Sequence, residues 1–148
     1  MTPIEFFAQD RFAARAGIRI IDAQPGYATA EMPVSPDILN ASGYVQGGAL
    51  FTLADLAFAV AVNTRALPPS GEQEAGSEEY LYAPTVSVNS HIAFFRSLRA
   101  GTVHAEATVL FDHRRLPYAQ VRLTDDDGNL VALFTSSGYR KSHAPKTT

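Results

Sequence analysis

Cysteine is absent from this sequence of 148 residues, and basic residues are fewer than acidic ones. Without cysteine the chain can form no disulfide, no thiolate nucleophile and no cysteine-ligated zinc site, and its composition suits a reducing compartment. Twelve lysine and arginine residues stand against fifteen acidic residues, which gives a formal net charge of −3. A chain of this charge offers no strongly basic surface, so we expect no nucleic-acid partner.

Long apolar runs are also missing. The most hydrophobic segment, Gly47–Val62, is sixteen residues long and rich in alanine, which is too short to span a membrane. The amino-terminal segment carries charges throughout and lacks the apolar core of a signal peptide. We therefore expect a soluble cytoplasmic protein with a single domain at residues 1–140 and a polar tail at residues 141–148.

Periodicity and turn residues predict both helices and strands. Thr2, Pro3 and Glu5 have the spacing of a capping box, which predicts a helix that starts at Pro3 and ends near Gly17. Residues 66–83 are rich in proline, glycine and glutamate, which predicts an exposed insertion. The other predicted elements are a helix from about Gly47 to Arg65 and strands at Ile18–Ala23, Tyr27–Val34, Thr85–Leu98, Thr102–Asp112, Pro117–Thr124 and Asn129–Tyr139.

The predicted helix after residue 46 is apolar on all sides, which is typical of a central and buried helix. An antiparallel sheet that curls around it would bury one face of the helix and give an α+β domain. One sheet cannot cover every side of such a helix. A second copy of the chain is the simplest cover for the rest.

Asp55 is the one charged residue in this apolar segment, and two glycines open the helix. The carboxylate is either a structural group that faces a loop or an interface, or an acid–base group. Gly47 and Gly48 favour the close approach of another group, with an ordinary glycine-rich turn as the alternative. The free N–H groups at the helix start can receive an oxyanion. Asp55 lies about 12 Å further along the axis, so cooperation at one carbonyl requires two chains.

A longer pattern surrounds these residues and reads N-x-x-G-x-x-Q-G-G-x-x-F-x-L-A-D-x-A-F-A from Asn40 to Ala59. It resembles the signature of hot-dog-fold acyl-CoA thioesterases of the phenylacetate-degradation type, which are related to 4-hydroxybenzoyl-CoA thioesterases. The resemblance implies a hot-dog fold and hydrolysis of an acyl-CoA substrate. It implies no cofactor apart from the CoA of the substrate, and a homodimer that pairs into a dimer of dimers.

The resemblance also implies roles for individual residues. Asp55 falls on the catalytic carboxylate, a general base or nucleophile, and the Gly47 N–H falls on the oxyanion donor. Asn40 falls on a polar residue that positions the site, and Ser87 falls where some relatives carry a hydroxyl that orients water. The family usually has histidine where this chain has Gln46, which can donate a hydrogen bond but cannot take up a proton.

Four further residues are predicted to bind substrate. Gly48 and Phe51 belong to the helix motif, and Arg114 and Arg115 form a basic cluster suited to the CoA phosphates, with a solvated turn as the alternative. The four histidines show no His-x-x-x-His spacing, so we predict no metal site. Strict alternation would place His91 on the same strand face as Ser87, either in the site or as a structural residue.

Two other functions are compatible with the pattern. A non-catalytic protein that binds acyl-CoA or another small ligand on the same fold would explain the loss of the usual histidine at Gln46. A hot-dog hydratase usually carries a histidine a few residues after the aspartate, and Leu56–Val62 contains none. Thiol release from acyl-CoA substrates distinguishes hydrolysis from binding alone.

Overall fold

The computed structural model describes residues 2–64 and 85–141. The predicted insertion at residues 66–83 and the predicted tail beyond residue 141 lie outside these ranges. A short 3-10 turn, Pro36–Ile38, precedes the long helix. The helices and strands are α1 (Pro3–Phe7), α2 (Arg11–Arg15), β1 (Arg19–Gln24), β2 (Tyr27–Pro33), α3 (Gly47–Asn63), β3 (Thr85–Phe94), β4 (Thr102–Phe111), β5 (Tyr118–Thr124) and β6 (Leu130–Arg140).

The strands form one antiparallel sheet in the order β1-β2-β4-β5-β6-β3, and α3 contacts all six of them. The core lies between α3 and the sheet, where Leu53 and Phe58 of the helix meet Met32, Val121 and Phe134 of the strands. All five of these side chains are fully buried. The predicted α+β arrangement of a sheet around one long helix is confirmed.

The amino-terminal helix is interrupted, which the sequence prediction of one continuous helix missed. The capping box is present, because Thr2 Oγ1 accepts from the Glu5 N–H at 3.2 Å and Glu5 Oε2 accepts from the Thr2 N–H at 2.7 Å. The Thr2 N–H also lowers the pKa of Glu5. Asp10 then caps a second helix by accepting from the Ala13 N–H at 2.9 Å. An aspartate with an extended backbone starts a new helix, so the first one ends before it.

The turn between β5 and β6 follows the prediction. Asp125 Oδ1 accepts from the N–H groups of Asp127 and Asn129 at 3.0 and 2.9 Å, and Gly128 has the left-handed φ of 80° that such a turn requires. The Asn129 N–H is the main reason that the pKa of Asp125 is lowered. These local hydrogen bonds satisfy the Asp125 carboxylate, so the run of aspartates from Asp125 to Asp127 forms a hairpin turn.

The sheet leaves one side of α3 open, as expected for a single chain, because one sheet cannot cover every side of such a helix. Gly48 is exposed, and Thr52, Asp55 and Ala59 are half-buried. Their spacing of three or four residues puts them on one stripe of the helix, which we call the open stripe. The described residues of this chain do not cover it.

A β-bulge at Val88 changes which side chains of β3 face the helix. The register with β6 shifts between Ser87 and Asn89, so Val88 is an extra residue. Ser87 faces α3, and Ser90 also faces the core, where it hydrogen-bonds to a buried serine of β6 at 2.8 Å. His91 therefore lies on the outer face of the sheet. The predicted shared face of His91 and Ser87 is wrong because strict alternation stops at the bulge.

A buried amide joins the end of α3 to the start of β3. The Asn63 side chain accepts from the Thr85 N–H at 2.8 Å and donates to the Thr85 carbonyl at 3.1 Å. Arg140, which is also buried, donates to Thr85 Oγ1 at 3.1 Å and to the Val62 carbonyl at 3.3 Å. These bonds hold Thr85 in place, and Thr85 is the first residue of β3, two positions before Ser87.

We expect Asn63→Ala to lower the free energy of unfolding by about 2 to 4 kcal/mol, because the buried N–H and carbonyl of Thr85 would each lose a partner. Urea denaturation at one fixed protein concentration measures the change. Asn89→Ala removes an exposed asparagine of the same strand, and should change stability by less than about 0.5 kcal/mol. Equal effects of the two substitutions would contradict a special role for Asn63.

Candidate active site

Gln46 begins α3 as its N-cap residue. Its backbone is extended, with φ −69° and ψ 136°, and its side-chain Oε1 accepts from the Ala49 N–H at 3.1 Å. The Gln46 N–H donates to the Ile38 carbonyl at 2.8 Å, which fixes the residue to the loop before the helix. Because the oxygen of the carboxamide serves the cap, its NH2 group is the end that can donate to a ligand.

Each glycine at the start of α3 leaves room for a close neighbour. A Cβ on Gly48 would lie 2.6 Å from Gln46 Oε1, and a Cβ on Gly47 would lie 3.2 Å from Cζ of Phe94. Both glycines are outside the left-handed φ region, so a side chain at either position would change the packing rather than strain the backbone. Within the chain the nearest groups to the glycine pair are Gln46 and Phe94, and the predicted approach of a ligand stays a prediction.

The N–H groups of Gly47 and Gly48 are available as donors. Within residues 2–64 and 85–141, neither group has a hydrogen-bond acceptor. The first N–H groups of a helix have no partner inside the helix, and the helix dipole is positive at this end. A carbonyl oxygen that gains negative charge would be stabilised here.

Asp55 lies two turns further along the open stripe and contacts Ser87. The Ser87 hydroxyl donates to Asp55 Oδ1 at 2.9 Å, which brings together two residues that are thirty-two positions apart in sequence. Ser87 lies directly before the bulge at Val88, and its hydroxyl faces the helix. No lysine or arginine forms an ion pair with Asp55 in the described part of the chain.

Asn40 organises the loop that leads to Gln46. Its Oδ1 accepts from the N–H groups of Ser42 and Tyr44 at 2.9 and 3.1 Å, and its own N–H donates to the Tyr44 carbonyl at 2.7 Å. Gly43 allows the loop to turn with a φ of 78°. In this chain the polar side chain of Asn40 holds loop backbone, so any influence on the site acts through the loop.

Phe51 lies one turn after Gly47 and is half-buried between the open stripe and the core. Its ring meets the fully buried ring of Phe134 edge to face, with centroids 5.3 Å apart. The contact fixes one side of the Phe51 ring and leaves the other partly exposed. The position is compatible with the predicted contact to substrate, which stays a prediction.

Arg114 and Arg115 lie in the connection between β4 and β5, beside the carboxyl-terminal end of α3. Arg114 is exposed, while the Arg115 guanidinium donates to the Arg140 carbonyl at 3.4 Å. The Arg140 side chain reaches Val62 near the end of α3. Within one chain the two arginines are therefore on the side of Ser87 and far from Gly47.

Arg99 is the arginine that lies near the start of α3. Its guanidinium stacks on the Tyr44 ring at 4.1 Å from the ring centroid, in the loop that precedes Gln46. The Val45 N–H donates to the Leu98 carbonyl at 2.8 Å and holds the two loops together. Nothing in the sequence indicated the contact of Arg99 with Tyr44.

One charged contact lies on the outer surface, away from α3. His104 Nε2 contacts Asp126 Oδ1 at 2.8 Å on the outer surface, and this hydrogen bond is the main reason that the pKa of Asp126 is lowered.

In the ranges 2–64 and 85–141, no group of three or more histidine, aspartate or glutamate side chains could hold a metal ion. Among the helices described, none is long and apolar enough to cross a membrane.

Comparisons with known proteins agree on one family. Residues 42–132 match the sequence profile of the thioesterase superfamily. The acyl-coenzyme A thioesterase PaaI of Escherichia coli K12 is 30% identical over 135 residues, which cover 90% of this chain and 85% of that protein. A putative esterase of Deinococcus radiodurans is 30% identical over 132 residues, which cover 88% of this chain and 79% of the relative.

Solved structures agree as well. The E. coli PaaI protein from the phenylacetic acid degradation operon superposes with a TM-score of 0.78 at 28% identity, over 95% of this chain and 91% of that one. A variant of the phenylacetic acid degradation protein PaaI from Thermus thermophilus gives a TM-score of 0.74 at 33% identity, over 88% of this chain and 99% of that one. The predicted hot-dog fold is confirmed.

We expect Gln46→Ala to lower the free energy of unfolding by about 1 kcal/mol, because α3 would lose its cap. Gln46→Glu keeps an oxygen acceptor and adds negative charge at the positive end of the helix, so it should be at least as stable as the wild type. Urea denaturation of the three proteins measures both changes. A Gln46→Ala protein as stable as the wild type would show that the cap contributes nothing.

Proposed function

Because the chain belongs to the thioesterase superfamily and is a thioester hydrolase, we propose that its substrate is an acyl-CoA. The products are free CoA and a carboxylic acid. The relation to an acyl-coenzyme A thioesterase over most of the chain supports this substrate class. We further propose a cytoplasmic location, since CoA is the carrier that the reaction regenerates.

The thioester carbonyl oxygen accepts a hydrogen bond from the Gly47 N–H, which stabilises the charge that develops as the carbonyl carbon is attacked. The NH2 group of Gln46 is a second donor to the same oxygen or to the substrate beside it. Asp55 takes a proton from water as general base while the new C–O bond forms. The C–S bond then breaks, and the CoA thiolate leaves and is protonated. Direct attack by the carboxylate is the nucleophilic alternative.

The observation that carries this proposal is the hydrogen bond from Ser87 to Asp55 on the open stripe of α3. A carboxylate that only filled a structural role would be expected to bond to backbone or to a cation. Asp55 instead accepts from one hydroxyl, and one side of the helix beside it is open. Ser87 can hold Asp55 in one rotamer and orient the attacking water.

Two chains form each site in this proposal. Asp55 follows Gly47 by eight residues, about 12 Å along α3, so the carboxylate acts on a carbonyl held by the Gly47 of a partner subunit. A homodimer would also cover the open stripe. The exposed edge strand β3, with Val86 and Val88 at its surface, supports an interface on this side. We propose that two such dimers form a tetramer.

Arg114 and Arg115 are proposed to contact the phosphates of CoA. Arg115 and Ser87 lie on the same side of the chain, because both neighbour the network around Arg140 and Thr85. The arginines would therefore approach CoA from the subunit that supplies Asp55. Gly48 and Phe51 would line the substrate site from the subunit that supplies Gly47.

We expect Asp55→Asn to lower kcat for thiol release by at least about 100-fold, because the amide cannot accept the proton from water. The asparagine oxygen can still accept from Ser87, so the fold should persist. Absorbance detection of free CoA with a series of acyl-CoA substrates measures the loss. Asp127→Asn changes an exposed carboxylate at the β5–β6 turn and should retain wild-type turnover.

Turnover of Asp55→Asn close to that of the wild type would exclude the proposed role of the carboxylate. If the wild type binds acyl-CoA in calorimetry but releases no thiol from any substrate, the chain is a binding protein of the same fold. The glutamine in place of the usual family histidine motivates this second function.

A substitution can remove the Gly47 N–H with little other change to the chain. Proline is tolerated at the first position of a helix, and Gln46 already has the extended backbone that a following proline requires. Gly47→Ala and Gly47→Pro both introduce a Cβ beside Phe94, but only proline lacks the N–H. We expect kcat of Gly47→Pro to be about 100-fold below that of Gly47→Ala. Equal rates would exclude the N–H as the oxyanion donor.

The same variants test the shared site. When Asp55→Asn and Gly47→Pro chains are unfolded together and refolded, each mixed dimer contains one site with both native residues. We expect recovery of about a quarter of the wild-type activity per chain, because about half of the dimers are mixed. Separately refolded variants serve as the control. No recovery in the mixture, when mixed dimers are present, would contradict a site made by two chains.

A further inference from the structure

Phe94 is the last residue of β3, and its ring lies against the first residue of α3. The atoms nearest to a Cβ built on Gly47 are Cζ, Cε1 and Cε2 of Phe94, at 3.2, 3.5 and 3.8 Å. The tip of the ring therefore points at the start of the helix. A large apolar group stands directly beside the N–H that is proposed to receive the thioester carbonyl.

The remainder of the Phe94 side chain is open to solvent. It is 53% exposed, although the bulge at Val88 puts Phe94 on the same face of β3 as Ser90. Its neighbour across the β3–β6 pair is Ala132, and Gly47 on α3 has no side chain. Small residues on both sides leave the ring uncovered, and exposed apolar surface of this kind favours contact with an apolar ligand.

We propose that Phe94 forms one wall of the acyl pocket and selects acyl groups that fit beside it. This inference rests on the proposed hydrolysis of acyl-CoA. A thioester whose carbonyl contacts the Gly47 N–H lies beside the tip of the ring, and in this proposal its acyl group is the part that packs there. A compact or aromatic acyl group packs on the ring, since aromatic pairs gain from stacked or edge-to-face contact. A long alkyl chain meets the ring and must displace it.

The first test measures kcat/KM for straight-chain acyl-CoAs from acetyl to dodecanoyl and for phenylacetyl-CoA. We expect Phe94→Ala to raise the ratio of dodecanoyl to acetyl activity at least tenfold, because each methylene group newly buried in the pocket is worth about fourfold. Activity with phenylacetyl-CoA should fall in the same variant, which loses the aromatic contact.

Phe95→Ala is the matched control. Phe95 is also largely exposed, at 59%, but the three atoms nearest to a Cβ on Gly47 all belong to Phe94. The chain-length profile of Phe95→Ala should equal that of the wild type. A Phe94→Ala profile parallel to the wild type, or the same change in both variants, would overturn the assignment.

The second test does not depend on turnover. The chain contains no tryptophan, so Phe94→Trp and Phe95→Trp each introduce a single tryptophan, whose emission is read apart from that of the six tyrosines. A non-hydrolysable phenylacetyl-CoA thioether should shift the emission of the Phe94→Trp protein to shorter wavelength in a saturable way. CoA without an acyl group should leave that emission unchanged, and the Phe95→Trp protein should not respond to either ligand. An equal response of the two tryptophans, or of Phe94→Trp to CoA alone, would contradict an acyl wall at Phe94.

The two tests separate this inference from the proposed function. If the wild type releases no thiol from any acyl-CoA, hydrolysis of this substrate class is wrong, and the emission shift still reports whether the thioether binds beside Phe94. If the wild type is active but neither the profile nor the emission depends on Phe94, only the acyl wall is wrong. Circular dichroism and urea midpoints of the four variants identify any that fail to fold.

Discussion

The burial of α3 in the curve of the sheet is the constraint on which the other features of this chain depend. Fully buried side chains such as Leu53, Phe58 and Val60 line the inner side of the helix, and each large one contributes roughly 1.5 to 3 kcal/mol. A carboxylate on that inner side would lose its water without gaining a partner. Asp55 is accommodated only because the sheet stops short of the open stripe. The same packing therefore stabilises the fold and decides which side of α3 can carry polar chemistry.

Features set by residues close in sequence could be predicted, and features set by strand pairing could not. The capping box at Thr2 and the turn at Gly128 each depend on a few neighbouring residues, and the structure has both. The bulge at Val88 depends on how β3 pairs with β6, which alternation within β3 does not encode. For that reason Ser87 faced the helix as expected while His91 did not share its face.

The candidate site also combines features that the sequence indicates with features that only the folded chain reveals. The lone charge of Asp55 and the glycine pair stand out in the sequence, and their spacing is the basis of the proposal that two chains form the site. Glutamine is not among the favoured N-cap residues, so nothing in the sequence indicated that Gln46 caps α3. The contact of Phe94 with Gly47 joins the end of a strand to the start of a helix, and only the folded chain brings them together.

The amide pairing of Asn63 with Thr85 also bears on how this chain can change during evolution. It joins the two residues that flank positions 64–84, and so fixes the start of β3 independently of the chain between them. Doubling the length of a flexible connection costs only about 0.6 kcal/mol in closure entropy. Insertions and deletions between α3 and β3 can therefore accumulate at small cost while the hydroxyl of Ser87 stays in register with Asp55. A change in chain length at this point therefore leaves the hydrogen bond between Ser87 and Asp55 in place.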